Sequence, residues 1–142
     1  MAWTVTAALE GSFDREDGTY FKFVLTCTSD AGASGDQTLS TLLASAYDWK
    51  IKDTIMNQIL GSELMWVEYL PDGTATPTSD PTVTIDNGNE SNIFNYAFTA
   101  ATKEIVAGAE ELGAFPVVKD LIFASTTLAN TKKAVFNIWL KK

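Results

Sequence analysis

The stretches Trp3-Thr4-Val5-Thr6-Ala7-Ala8-Leu9 and Thr19-Tyr20-Phe21-Lys22-Phe23-Val24-Leu25-Thr26-Cys27-Thr28, joined through Phe13-Asp14-Arg15-Glu16-Asp17-Gly18-Thr19, decide the fold class. In the first, Trp3, Val5, Ala7 and Leu9 alternate with Thr4 and Thr6, the period-two pattern of a half-buried strand. In the second, β-branched and aromatic residues predominate, with Phe21, Phe23, Leu25 and Cys27 sharing one face. Between them the polar run ends in Asp-Gly, which supplies the positive-φ position of a hairpin turn. Two antiparallel strands around a polar turn are therefore the seed of the fold.

Working outward, Ser29 to Asp36 is a loop of small residues, after which the period changes. Leu39, Leu42, Leu43 and Ala46 fall at helical spacing, with Asp36 or Thr38 as N-cap. Ile51, Ile55, Met56 and Ile59 continue the helical pattern to Gly61, a suitable helix end. Tyr47-Asp48-Trp49 interrupts the two sets, which predicts one or two short helices over about 38–60. From Glu63 the period returns to two, with Leu64, Trp66, Glu68 and Leu70 opposite Met65, Val67 and Tyr69. Pro71-Asp72-Gly73 is a turn, and Thr74 to Pro81 is an irregular connection. Thr82–Ile85 and Asn92–Thr99 are strands around the turn Asp86-Asn87-Gly88-Asn89-Glu90. Ala100 to Glu111 is compatible with strand or helix, Leu112 to Pro116 is a bend, and Val117-Val118 and Leu121–Phe123 are short apolar runs. Ala134 to Leu140 is apolar on both faces, as expected of a strand central in the fold or covered by a partner. The sum is a single mainly β domain over residues 1–142, an antiparallel β-sandwich or barrel of about seven short strands with a helical insertion.

Composition narrows the chemistry. The 142 residues carry 18 acidic and 10 basic side chains, a net charge of −8, and no histidine. The commonest general base and metal ligand is thus missing, together with every Ser–His or Cys–His nucleophile pair. A phosphate-backbone binder would show a basic face, and Arg15 is the only arginine, so direct nucleic-acid binding is not expected. Cys27 is the only cysteine, which excludes an intrachain disulfide and a thiolate zinc site, and it reads as a small buried hydrophobe. Residues 1–10 have neither a basic region nor a long apolar run, so no signal peptide is expected, and no stretch approaches the ~20 apolar residues of a membrane helix.

Candidate chemical motifs are few. Asp14-Arg15-Glu16-Asp17-Gly18 fails as a calcium loop, because its glycine falls at position five and position twelve is Leu25. Asp86, Asn87, Asn89, Glu90 and Asn92 offer oxygen ligands that a weak Ca²⁺ site could use, or simply a polar hairpin tip. Glu110 and Glu111, and Glu63 and Glu68, would lie on opposite strand faces, so no acid–base pair is evident. Asn89-Glu90-Ser91 is a glycosylation sequon, irrelevant without secretion. Lys132-Lys133 and Lys141-Lys142 are ordinary solubility features, or gatekeepers flanking the last apolar strand. Catalytic, cofactor and metal residues are therefore not assigned, and an enzyme is not expected. Trp3, Trp49, Trp66 and Trp139 read first as core formers, but Trp49 stands among Tyr47, Asp48 and two lysines and is expected at the surface. Tyr47, Trp49, Lys50 and Lys52 are accordingly the candidate interface.

The start Met-Ala-Trp-Thr-Val-Thr, the phrase Gly-Ser-Phe-Asp-Arg-Glu-Asp-Gly-Thr-Tyr, the run Asp120–Leu128 and the ending Ile138-Trp139-Leu140-Lys141-Lys142 together resemble small structural proteins of tailed bacteriophages and prophages, of the head-decoration, neck or tail kind. That resemblance implies a β-rich virion component made in the host bacterial cytoplasm, homo-oligomeric, docking on itself and on other virion proteins, without cofactor, nucleic-acid or membrane contact. An alternative from a different class is a small module binding an apolar or carbohydrate ligand, with Trp66 or Trp49 lining the site. The large residues Phe21, Phe23, Phe94, Phe98 and Trp139 favour a filled interior over a carrier barrel.

Overall fold

The hairpin forms as the alternation predicts. In the computed structural model, described over residues 3–88, 93–107, 116–117 and 119–142, β1 (Thr4–Arg15) and β2 (Gly18–Thr28) pair antiparallel from Thr4↔Thr28 to Arg15↔Gly18. The turn is tighter than the polar run suggests: residues 13–15 stay in the strand and only Glu16 and Asp17 connect it. Thr19 Oγ1 donates to Asp14 Oδ1 at 2.9 Å across the rung next to the turn's last pair. Gly18 has φ +144, and a Cβ there would stand 2.5 Å from the Lys142 carbonyl oxygen. That close approach lets Thr19 and Lys142 exchange two backbone hydrogen bonds of 2.9 and 2.8 Å, which carries the pairing of the hairpin with the C-terminal segment to the end of the chain.

The remaining elements are β3 (Gln37–Thr38), α1 (Leu39–Ala46), α2 (Trp49–Ile59), β4 (Glu63–Pro71), β5 (Thr82–Asp86), β6 (Phe94–Ala97), β7 (Glu104–Ala107), β8 (Ile122–Ser125) and β9 (Lys133–Lys141). They make a five-stranded sheet in the order β1-β2-β9-β4-β7 and a four-stranded sheet in the order β3-β8-β5-β6, with every pairing antiparallel. The fold is a mainly β sandwich with two short inserted helices. Among the described residues it has nine strands where about seven were expected. One addition is the two-residue β3, too short for any period, and another is β7, which makes Glu104–Ala107 of the ambiguous stretch Ala100–Glu111 a strand, while residues 108–111 lie outside the described residues.

Residues of both sheets and both helices share one core. Phe23, Leu25, Val67, Tyr69, Phe136, Ile138 and Leu140 of the larger sheet meet Val83, Ile85 and Phe123 of the smaller. The Phe123 and Phe136 rings lie 5.1 Å apart across the sandwich, and Tyr69 stacks 5.2 Å from Phe136 and 5.1 Å from Phe98. The Tyr69 hydroxyl, fully buried, donates to the Ala100 carbonyl at 2.6 Å. Burial pushes its phenol well above the ordinary range, so it remains a neutral donor.

The helices sit where the sequence places them, and their caps explain the break. The Asp48 carboxylate accepts from the Ile51 N–H at 3.0 Å and starts α2, and Gly61, at φ +82, follows its end. Thr38 occupies the N-cap position of α1 but its hydroxyl turns to Thr41. The first-turn Ser40 N–H is instead satisfied by Asp120, at 3.2 Å, from a loop eighty residues away. Leu39, Leu42, Leu43, Ile55 and Ile59 enter the core.

Two substitutions probe this core. Phe136→Ala is expected to destabilise the fold by about 3–5 kcal/mol in urea denaturation, and Tyr69→Phe by about 1–3 kcal/mol, because the Ala100 carbonyl loses its donor. An unchanged midpoint for Phe136→Ala would mean that the two sheets do not share this contact.

Candidate functional site

Two irregularities in the larger sheet decide which side chains border its outer face at one end. In β1 the register shifts between Leu9, opposite Phe23, and Gly11, opposite Lys22, leaving Glu10 without a ladder partner. Side chains on a strand alternate, so one extra residue inverts everything beyond it. Phe13 would otherwise share the inner face with Ala7 and Leu9; instead it lies opposite Tyr20 on the outside, 44% exposed. In β4 a second shift separates Leu64, opposite Leu140, from Trp66, opposite Trp139. The expected face of Leu64, Trp66, Glu68 and Leu70 is thereby corrected: Leu64 packs against the core and Trp66 joins Trp139 on the outer face.

The four rings that result surround a cleft. Phe13 lies 5.9 Å from Trp139, Trp139 lies 5.6 Å from Trp66, and Trp66 lies 6.1 Å from Tyr20, all tilted by 35–38°. Gly11 makes room for the arrangement, since a Cβ there would come within 3.3 Å of the Phe13 ring. The cleft has a volume of about 320 Å³ and is lined by Phe13, Arg15, Tyr20, Trp66 and Trp139, at the lower end of the roughly 300–1,000 Å³ usual for ligand pockets.

Its rim is polar and cationic in an acidic chain. Arg15 Cζ stands 5.9 Å from the Tyr20 ring centroid and Lys22 Nζ stands 5.4 Å from that of Trp139. Lys22 also pairs at 2.7 Å with Glu10, the bulged residue itself. The Tyr20 hydroxyl donates to Asp17 Oδ2 at 2.7 Å, and Lys141 Nζ approaches the same oxygen at 3.3 Å. The Tyr20 hydrogen bond first, then Lys141, holds the Asp17 carboxyl below its ordinary value, and the same hydrogen bond raises the Tyr20 phenol. Glu10 and Asp17 thus neutralise the two lysines, whereas Arg15 makes no ion pair among the described residues. Ring faces, one guanidinium and one anchored phenol can hold a molecule with an apolar face and a polar edge.

Trp66, one of the two tryptophans considered from sequence for a ligand site, lines this cleft, whereas the interface candidates Tyr47, Trp49, Lys50 and Lys52 lie elsewhere and are not all equivalent. Trp49 is 67% exposed on the first turn of α2, with Lys50 Nζ 5.6 Å from its ring centroid. Lys52 pairs with its neighbour Asp53 at 2.6 Å. Tyr47 is half-buried against the core, and its hydroxyl accepts the Leu9 N–H at 3.2 Å, covering β1 at its bulge. Cys27 is buried, with its thiol pushed up to about 12 by desolvation. Of the oxygen-rich tip at 86–92, Asn87 donates to the Pro116 carbonyl at 2.8 Å. Asn89, Glu90 and Asn92, with the sequon at 89–91, Glu110, Glu111 and most of the bend at 112–116, lie outside the described residues. Among the described residues no group of three or more acidic or cysteine side chains is placed to hold a metal ion. The cleft was hidden because Phe13 looks inward in an unbroken alternation; Gly11 within a strand was the one visible sign of a bulge.

No protein-family model matches the chain, and no curated protein does. Two crystal structures of CapF are similar over 93% of this chain at 10% identity. One is of CapF with the inhibitor 3-isopropenyl-tropolone, TM-score 0.34. The other is of the capsular polysaccharide assembling protein CapF from Staphylococcus aureus, TM-score 0.31. The chain spans only 30% and 28% of their lengths, and so distant a likeness carries no argument about function.

Removing the bulge tests the construction of the cleft. Deleting Glu10 is expected to abolish the nuclear Overhauser contacts between the Phe13 and Trp139 rings; their persistence would refute the parity account. The Asp17–Tyr20 bond has its own signature. Because the folded-state pKa of Asp17 lies below its ordinary 3.8, its contribution is present above that value and lost as pH falls through the lowered one. Asp17→Asn should return the Tyr20 phenol, followed by ultraviolet titration, towards its ordinary 10.0.

Proposed function

We propose that the protein is a non-enzymatic structural component of a tailed-phage or prophage virion, a head-decoration or capsid-associated protein acting by multicopy assembly with itself and other virion proteins. The observation that supports association best is α2: Trp49 is 67% and Ile51 47% exposed, and Leu60 stands exposed just past the helix end. A tryptophan held on a helical turn capped by Asp48, with its ring accessible and cations beside it, has the character of an interface anchor. The reading is also supported by β7, which among the described residues pairs only with β4 and carries Ile105 at 67% exposure, a short strand edge on which another chain can add. The net charge of −8 disfavours contact with nucleic acid, and no helix among the described residues is long and apolar enough to cross a membrane. The outer-face cleft favours a second reading, in which the same module also holds a ligand.

Light scattering behind size exclusion, over a range of protein concentrations, tests the first reading. A discrete oligomer or growth to large particles is expected, and a monomer throughout would overturn self-assembly. Trp49→Ala combined with Ile51→Ser should leave circular dichroism unchanged and weaken association about tenfold or more in Kd. Tyr47 is left intact in this variant because it belongs to the fold.

A further inference from the structure

We infer that the cleft between Phe13, Tyr20, Trp66 and Trp139 is a saccharide-binding site selective for sugars that carry a carboxylate. The inference rests on the second reading above, that the module holds a ligand at this face, and names the chemistry of that ligand.

The walls set the first requirement. The cleft is bounded by the faces and edges of four aromatic rings, three pairs of which lie 5.6–6.1 Å apart. An aromatic face carries the negative end of a quadrupole. The matching surface is a ring whose axial C–H groups, slightly positive, form one flat apolar side, while hydroxyls point outward in its plane. A pyranose has that form, and an aliphatic ligand does not use the polar rim. The rim sets the second requirement. Arg15, the only arginine of the chain, lines the cleft and has no carboxylate partner among the described residues, whereas Lys22 and Lys141 are held by Glu10 and Asp17. A guanidinium in a chain of net charge −8 is a local exception, and its planar fork matches a carboxylate in two parallel hydrogen bonds. The Tyr20 hydroxyl, whose proton is committed to Asp17 at 2.7 Å, has an oxygen still able to accept from a sugar hydroxyl.

The site is also constructed rather than incidental. The register shift at Glu10 turns Phe13 onto the outer face beside Trp139, while the shift at Met65 turns Leu64 inward next to the outward Trp66. Bulges recur where a side chain is re-aimed at a functional surface. A proline-rich peptide would also use an aromatic groove, but it leaves the unpaired Arg15 without a counter-charge, so the carboxylated sugar is favoured.

The test uses the full chain on an array of glycans containing hexuronates or sialates, with their neutral counterparts, followed by calorimetric titration of the best-retained glycan. Retention of the carboxylated sugars over the neutral ones is expected. Arg15→Gln, an exposed change that leaves the core intact, should lower affinity for the carboxylated glycan tenfold or more and shift the neutral one less than twofold. Trp66→Phe should weaken both, and Trp49→Ala neither. The indole N–H signals of Trp66 and Trp139 should move on titration while those of Trp3 and Trp49 stay. Equal retention of neutral sugars, or indifference to Arg15→Gln, would overturn the carboxylate selectivity. If a proline-rich peptide moves the Trp66 and Trp139 signals and no glycan does, the sugar assignment fails and the ligand reading survives. If neither moves them, both fail. None of these outcomes depends on the oligomeric state.

Discussion

Strand β9 is the constraint on which the larger sheet depends. It is paired from Lys133 to Lys141 with β2 on one side and from Ala134 to Lys141 with β4 on the other, so the backbone ladders of the N-terminal hairpin and of the segment after the helices are joined through the last strand of the chain. Its inner residues Ala134, Phe136, Ile138 and Leu140 are all buried, and Phe136 touches Tyr69, Phe98 and Phe123. Its outer residue Trp139 is the ring shared by Phe13 and Trp66. One strand therefore contributes the middle of the core and the middle of the cleft. Loosening it for either purpose would loosen it for both. Its pairs with β2 join residues more than a hundred positions apart, which delays closure of the sheet until most of the chain is available.

The helical insertion solves a problem that the hairpin creates. β1 is a twelve-residue edge strand, and a long edge invites unwanted pairing. Helix α1 packs on it, and Tyr47 covers the Leu9 N–H at the point where the ladder is interrupted. Asp120 holds the first turn of α1 from the far sheet, where Leu121 enters the core. The insertion thereby faces inward along α1 and outward along the start of α2, and Tyr47 and Trp49, two residues apart, fall on opposite sides of that division.

Much of this was legible in the sequence because it rests on period and caps. The hairpin, the interruption at Asp48, the helix end at Gly61 and the burial of Phe21, Phe23, Leu25 and Cys27 follow from spacing alone. What was not legible rests on single residues without a signature of their own. Glu10 and Met65 are ordinary strand residues until pairing shows them to be supernumerary, and each silently reverses the faces on one side of it. Phe13, assigned to a turn, and Leu64, assigned to the wrong face, are both consequences. Asp120 as a cap for α1 and Tyr47 as a cover for β1 depend on contacts eighty and thirty-eight residues apart, beyond the reach of local pattern. The two-residue β3 and the four-residue β7 are too short to show any period.

The bulge in β1 admits two physical explanations, and exposure decides between them. Without it, Phe13 would share the inner face with Ala7 and Leu9, at an end of the core occupied by Phe21, Leu64 and Leu140, where added bulk forces strain. Relief of overpacking alone would require only a small residue at position 13 in an unbroken ladder, which preserves every hydrogen bond. The chain instead keeps the large ring, interrupts the ladder, and leaves Phe13 44% exposed. It also places a glycine at position 11, where any side chain would crowd the Phe13 ring, although glycine weakens a strand interior. Each of these features is unfavourable for the core and favourable for an aromatic surface bordered by cations. The constraint that reconciles them lies outside the core, on the face that Arg15 and Trp139 share.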